Sequence, residues 1–137
     1  MEAETQMIYL DTHVIVWLYA GLIHLIPKKT QLVLEKEDLF VSPIVSLEIQ
    51  YLYETGRIKE EAKNILPDLQ TRIHLQICPQ SFESVAEQSL RESWTRDPFD
   101  RMITAQARLK NQRLLTKDKL IQRHYSKSFW GSFSESV

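Results

Sequence analysis

The 137-residue sequence contains a single cysteine, Cys78. One thiol closes no internal disulfide and supplies no thiolate pair for a metal site, so the chain reads as a protein of a reducing compartment. A long hydrophobic run is also missing. The longest nearly apolar stretch, Val14 to Ile26, is interrupted by Gly21 and His24 and falls short of the roughly eighteen residues that a spanning helix needs. No basic leader with a small-residue cleavage site is evident, and a cytoplasmic protein without membrane association is expected. The four histidines, His13, His24, His74 and His124, show no Cys/His spacing, which argues against zinc. His13, beside Asp11, is the one placed near a site, with core packing its simpler role. Internal repeats and linkers are absent too. With 43% hydrophobic and 26% charged residues, the expectation is one globular domain over residues 1–137.

Excess charge of one sign is lacking as well, since the formal net charge is −1. That value excludes a chain that coats nucleic acid over its whole surface. The charges are nevertheless uneven. From Arg101 to Lys127 there are eight basic residues, Arg101, Arg108, Lys110, Arg113, Lys117, Lys119, Arg123 and Lys127, against the single acid Asp118. Such an asymmetry suits a basic wall beside an acidic crevice that receives a polyanion. On charge alone, a solvated helical face is the simpler reading.

Short apolar runs alternate with helical patterns along the chain. Met7 to Leu10 is apolar throughout, as a strand buried on both faces should be. Thr12 to Ala20 reads as a helix that Gly21 stops, followed by a variable stretch around Pro27-Lys28-Lys29. The strand Leu39-Phe40-Val41 meets Ser42-Pro43, a capping residue followed by a first-turn proline, and the helix then runs to Thr55. Lys59 to Leu69 is expected as a helix limited by Pro67, Ile73 to Ile77 as a strand and Ser81 to Trp94 as a helix. Asp97-Pro98 opens another helix that Asn111 ends, before the strand Arg113 to Leu115. The Ser-rich tail 126–137, with Phe129, Trp130 and Phe133, is expected to pack in part and fray at its end. Strand–helix alternation predicts an α/β fold with a central parallel sheet covered on both faces.

Four carboxylates recur at matching places in that pattern. Asp11 ends the first apolar run, Glu48 lies in the helix after the second, Asp100 lies in the first turn after Asp97-Pro98, and Asp118 follows Leu114-Leu115-Thr116. Parallel strands put their C-terminal ends on one edge, where open α/β sheets bind ligands. Each acid also has a structural explanation: Asp11, Asp97 and Asp118 as helix caps, and Asp100 as a complement to the helix dipole. Glu48 is harder to explain so, because it lies between Val45, Tyr51 and Leu52 on the apolar arc of its helix, where an unpaired carboxylate is costly. Asp100 shares a face with Thr104 and Ala107, small neighbours that leave room for a ligand, whereas Phe99, Met102 and Ile103 supply the buried side. Four independent capping acids at one sheet edge would be a coincidence. Clustered carboxylates need a cation or protons, and hard oxygen donors suit Mg²⁺ or Mn²⁺.

The segments Tyr9-Leu10-Asp11-Thr12-His13, Ser42 to Ile49, Asp97 to Ala107 and Leu114 to Asp118 resemble the PIN-domain family, in particular its VapC-type ribonuclease toxins. The likeness spans nearly the whole chain, in the family's order, and Asp97 to Ala107 is its most specific part. Thr104 stands where many members have a small apolar residue, and the Ser-rich tail is no family signature. The resemblance implies a three-layer α/β/α PIN-like fold and Mg²⁺- or Mn²⁺-dependent endonucleolytic cleavage of RNA. It also implies frequent homodimers and inhibition by a cognate antitoxin protein. It places the metal-binding, catalytic acids on Asp11, Glu48, Asp100 and Asp118, with Asp97, Thr116 and Thr12 in support. The basic residues Arg101, Lys117 and Lys119 are expected on the RNA backbone.

Two other functions compete. An aspartyl-phosphate phosphatase would use Asp11 as nucleophile, but His13 stands two residues on where a second aspartate belongs. A receiver domain lacks here both the acidic pair after the first strand and a phosphorylatable aspartate after a middle one. A catalytically silent PIN-like binding module would keep the acids only incidentally and engage a protein through an apolar surface such as Val14 to Ile26, with Trp17 and Tyr19.

Overall fold

The computed structural model describes residues 6–131. Among them the chain order is β1 (Met7–Leu10), α1 (Thr12–Ala20), a 3₁₀ turn (Ile23–Leu25), α2 (Lys28–Lys36), β2 (Asp38–Val41), α3 (Ile44–Glu54) and α4 (Ala62–Arg72). There follow β3 (Gln76–Ile77), α5 (Phe82–Ser89), α6 (Pro98–Leu109), β4 (Arg113–Leu115), α7 (Lys119–His124) and β5 (Ser128–Phe129).

The five strands form one sheet in the order β3-β2-β1-β4-β5, and every neighbouring pair is parallel. This is the central parallel sheet of an α/β/α fold. β1 lies in the middle, in register with β2 (Tyr9 opposite Phe40) and β4 (Leu10 opposite Leu115). Its residues Ile8, Tyr9 and Leu10 are almost inaccessible, as a strand covered on both faces requires. The chain works outward from β1 to the β3 edge and then returns to β4 on the other side of β1. That reversal opens a crevice beyond the carboxyl ends of β1 and β4, where the Asp11 N–H donates to the Leu115 carbonyl at 3.0 Å.

The expected β1, α1 and β4 form with the anticipated bounds, and Gly21 closes α1 at φ 75°, a left-handed conformation suited to glycine. α3 ends at Glu54, just before the expected Thr55. Other boundaries differ. The stretch around Pro27 contains α2, whose Thr30 and Leu34 are buried. α4 starts later than expected and runs through Pro67. An interior proline costs about 3 kcal/mol, but Ile65, Leu66 and Leu69 are buried beside it, each worth about 1.5–3 kcal/mol. Pro67 and Lys63, whose carbonyl loses its partner, are both exposed, so water can take that bond. β3 shrinks to two residues because His74 turns the chain at φ 57°.

α5 stops at Ser89 rather than Trp94 because Glu92 turns inward. Its carboxylate, 1% exposed, accepts from Arg108 Nε at 2.7 Å, Trp94 Nε1 at 2.8 Å and Gln88 Nε2 at 3.1 Å. The first part of the tail packs as β5, with Phe129 buried, whereas Phe133 lies outside the described residues. Cys78 is buried with its Sγ 2.9 Å from the Tyr9 hydroxyl, so the lone thiol is a core group.

Candidate active site

Asp11 follows the last residue of β1, and burial leaves it 6% exposed. Its Oδ1 accepts the Thr12 N–H at 2.7 Å and its Oδ2 accepts Thr116 Oγ1 at 2.6 Å. The carboxylate therefore does not reach the second and third helical N–H groups as an ordinary cap would. It is turned across the crevice toward β4. Burial pushes its pKa up, partly opposed by the Thr116 and Thr12 hydrogen bonds and His13, and Asp118 adds to the rise.

Glu48 arrives from the other side, one turn into α3. Thr12 Oγ1 donates to its Oε1 at 2.5 Å, which links the first turn of α1 to α3. Its flanking residues Val45 and Leu52 are buried, but Tyr51 is 45% exposed, so the apolar arc is narrower than the helical wheel suggests. Asp97 caps α6 by accepting from the Phe99 and Asp100 N–H groups at 2.8 and 3.1 Å. Asp118 caps α7 in the same way, from Leu120 and Ile121 at 2.8 and 3.1 Å. Capping and a place at the cleft are compatible, because each cap uses one carboxylate oxygen.

Asp11, Glu48, Asp97, Asp100 and Asp118 all line one cleft of about 780 Å³. Residues separated by more than a hundred positions thus share one solvent-accessible space. The expected clearance around Asp100 has a different origin. Thr104 and Ala107 are fully buried, because α6 packs against both α3 and α5, while Phe99 and Met102 are only half-buried. The cleft beside Asp100 is walled instead by residues of α1 and α3, among them His13, Trp17 and Glu48.

Burial and four neighbouring carboxylates, Asp97, Asp11, Asp118 and Glu48, push Asp100 up to about 8. Glu48 is pushed up to about 7, mainly by burial, with Asp11 and Asp97 adding to the rise. Two unit charges about 4 Å apart repel by roughly 4 kcal/mol at an effective dielectric of 20, so protons or a cation must offset this cluster. The donor set is all carboxylate oxygen, which fits a hard divalent ion. Its spacing is open: among the described residues, no three His, Cys, Asp or Glu side chains already stand close enough together to hold one. Asp100 makes no side-chain hydrogen bond among the described residues, its N–H alone bonding to Asp97.

The basic residues divide. Lys117 lines the cleft, whereas Arg101 and Lys119 do not. Arg101 Nε is tied to the Thr95 carbonyl at 2.8 Å, and Lys119 is exposed on α7. Arg57 lines the cleft unforeseen. It follows the Gly56 turn after α3, and no local pattern marks which way such a turn faces. His13 is exposed and lines the cleft rather than the core. Trp17, Leu22 and Ile58 complete its apolar wall.

A family model for the PIN domain matches residues 8–127. Among solved structures, the chain is similar to VapBC2 from Rickettsia felis bound to a DNA fragment from their promoter, at 20% identity and a TM-score of 0.60, covering 86% of this chain and 92% of that one. It is also similar to a toxin–antitoxin complex from Klebsiella pneumoniae, at 20% identity and a TM-score of 0.61, covering 88% and 94%. At such identity the likeness is one of fold. No curated protein matches.

Proposed function

Because the chain belongs to the PIN-domain family, we propose that it is a divalent-metal-dependent endoribonuclease, the toxin of a VapC-type toxin–antitoxin pair. The observation that supports this reading is the meeting of Asp11, Glu48, Asp100 and Asp118 in one cleft, with Asp97 beside them. These acids are the proposed ligands for Mg²⁺ or Mn²⁺. When bound, the ion would lower the pKa of a water and neutralise charge at the scissile phosphodiester.

The protein's own part is orientation. Thr116 holds Asp11 from β4 and Thr12 holds Glu48 from α1, so two hydroxyls set the directions of two acids on different elements. Asp97 and Asp118 fix the starts of α6 and α7 and thereby the places of Asp100 and Lys117. Lys117 and Arg57 at the rim hold the RNA backbone without reading sequence. An aspartyl-phosphate phosphatase would need a second aspartate two residues after Asp11, where His13 stands. The nuclease reading is therefore preferred to an aspartyl-phosphate one.

The similar solved complexes also support an antitoxin as partner. Leu22, Ile23 and Leu25 are 37%, 43% and 44% exposed, and Leu22 reaches the cleft wall, so a partner covering this ridge would also cover the acids. For a homodimer the candidate face is the exposed Leu47 and Tyr51 of α3, whose Tyr51 ring lies 5.9 Å from Phe99 of α6.

The purified chain, incubated with RNA and Mn²⁺ or Mg²⁺, is expected to cut it, and Asp11→Asn and Asp100→Asn are each expected to abolish cutting while remaining folded by circular dichroism. Undiminished cleavage by either variant refutes the assignment. Failure of the parent chain to cut any RNA returns the protein to the binding-module reading.

A further inference from the structure

Trp17, on α1, lines the acid cleft together with Asp11 and Asp118. Its inner edge packs against the core, but the residue remains half-exposed. Trp130 meets it edge-on, with ring centroids 5.6 Å apart at 63°. Trp130 is itself anchored from α2, since Thr30 Oγ1 donates to the Trp130 carbonyl at 2.5 Å and lies 3.0 Å from that of Gly131. The Trp17 indole in the cleft lining is thus backed by a second ring whose backbone is tied to α2. Core packing explains the braced edge and leaves the cleft-facing part unexplained.

The exposed Lys117, immediately before Asp118, holds its Nζ over the Trp17 ring at 5.6 Å from the centroid. The ring of His13 stands 6.2 Å away. An aromatic face beside a cation and beside clustered acids matches the surroundings of a nucleotide whose phosphate must reach those acids. Base–aromatic stacking is stronger than a cation–π contact at an exposed site. An arriving base can therefore displace the ammonium from the ring, and the freed ammonium can move onto a phosphate within the same nucleotide.

We propose that Trp17 is the stacking platform for one unpaired nucleobase next to the phosphodiester at the acid cleft, with Lys117 exchanging the indole for the RNA backbone. This rests on the nuclease reading and adds a subsite to it. Because every base has a stacking face, the platform selects unpaired over duplex RNA without choosing a sequence. Trp130 is a positioning residue that acts through Trp17.

The test uses the full chain in EDTA, so that binding is read without turnover. The probes are two fluorescently labelled single-stranded RNA decanucleotides, one intact and one abasic at every position, so that no shift of register can restore a stacked base. The parent chain is expected to bind the abasic strand about tenfold more weakly than the intact one. Trp17→Leu should bind the intact strand about tenfold more weakly and show no abasic penalty, whereas Trp17→Phe should keep the penalty and lose the tryptophan quenching that accompanies binding. Equal affinity of the parent for both strands, or an unchanged penalty in Trp17→Leu, overturns the proposal; should Trp17→Leu not fold, the parent's abasic penalty and the Trp17→Phe quenching decide. RNA cut by a parent without an abasic penalty removes the platform and leaves the nuclease reading. An abasic penalty without any cleavage in Mn²⁺ does the reverse.

Discussion

Thr116 Oγ1 donates to Asp11 Oδ2 at 2.6 Å, joining the ends of β4 and β1 across 105 positions of sequence. The same oxygen accepts the Asp118 N–H at 3.0 Å. One hydroxyl thereby ties together two of the acids at the crevice, and its removal leaves Asp11 Oδ2 without its donor and the Asp118 N–H without its acceptor. Thr116→Val is expected to cost about 1–2 kcal/mol of stability and to lower cleavage about 10–100-fold, as loss of a group that orients a metal ligand does. Thr116→Ser should restore both. Wild-type turnover in the valine variant would remove this hydroxyl from the site.

Glu48 and Asp100 hold protons in the folded chain up to about pH 7 and about pH 8, but release them near pH 4 when unfolded. Between those limits the native state binds more protons, so stability falls as pH rises. Without divalent ions, the melting temperature is expected to decline from pH 5 to pH 8. Asp100→Asn should flatten that decline and raise the melting temperature at pH 8 by about 5 °C. A melting curve that improves with pH over this range would contradict the charge cluster.

Mn²⁺ acts against the same repulsion. Its stabilisation of the parent chain, read as a rise in melting temperature, should be larger at pH 8 than at pH 6, because protons compete for the carboxylates at the lower pH. In Asp100→Asn the rise should be mostly lost. Equal shifts in parent and variant would place the ion elsewhere.

Glu92 is held below the usual carboxylate range. Burial alone would raise it, but the hydrogen bonds from Arg108, Trp94 and Gln88 outweigh that effect. Its contribution is present above the unfolded-state value near pH 4 and disappears as pH falls through the folded value, opposite in sign to the acid cleft. Glu92→Ala leaves the Trp94 N–H without its acceptor and Arg108 with the His124 carbonyl alone, and should cost about 3 kcal/mol, measured by urea unfolding. Cleavage per folded molecule should be unchanged, since Glu92 does not line the cleft.

Among the described residues, Lys117 and Arg57 are the cations that line the cleft. Replacing each with alanine should weaken RNA binding about equally for all sequences and reduce the salt slope of log affinity by about one. Arg101→Ala and Lys119→Ala should leave that slope nearly intact. The reverse ranking would move the RNA path to α6 and α7.

Much of the fold was legible because its signals are local. Met7 to Leu10 could only be a doubly covered strand, Gly21 had to stop a helix, and Asp97-Pro98 had to start one. Where tertiary contacts outweighed local preference, the boundaries moved: Pro67 was carried inside α4 by the burial of Ile65, Leu66 and Leu69, and Glu92 cut α5 short by turning toward Arg108. The acids were legible because parallel strand order brings strand ends to one edge. Arg57, Trp17 and the outward position of His13 were not, since the direction in which a side chain leaves a turn or an early helical position depends on what packs behind it.

By itself the sequence determined the alternation of strands and helices and the places of the acids at strand ends and helix starts, because periodicity and capping chemistry are properties of short segments. Only the tertiary structure decided that Thr116 holds Asp11, that Thr12 holds Glu48, and that Trp17 is braced by Trp130 beside Lys117. Those pairings span up to 113 residues of chain between Trp17 and Trp130, and no local rule sets which distant groups meet. The packing of helices against a twisted sheet does.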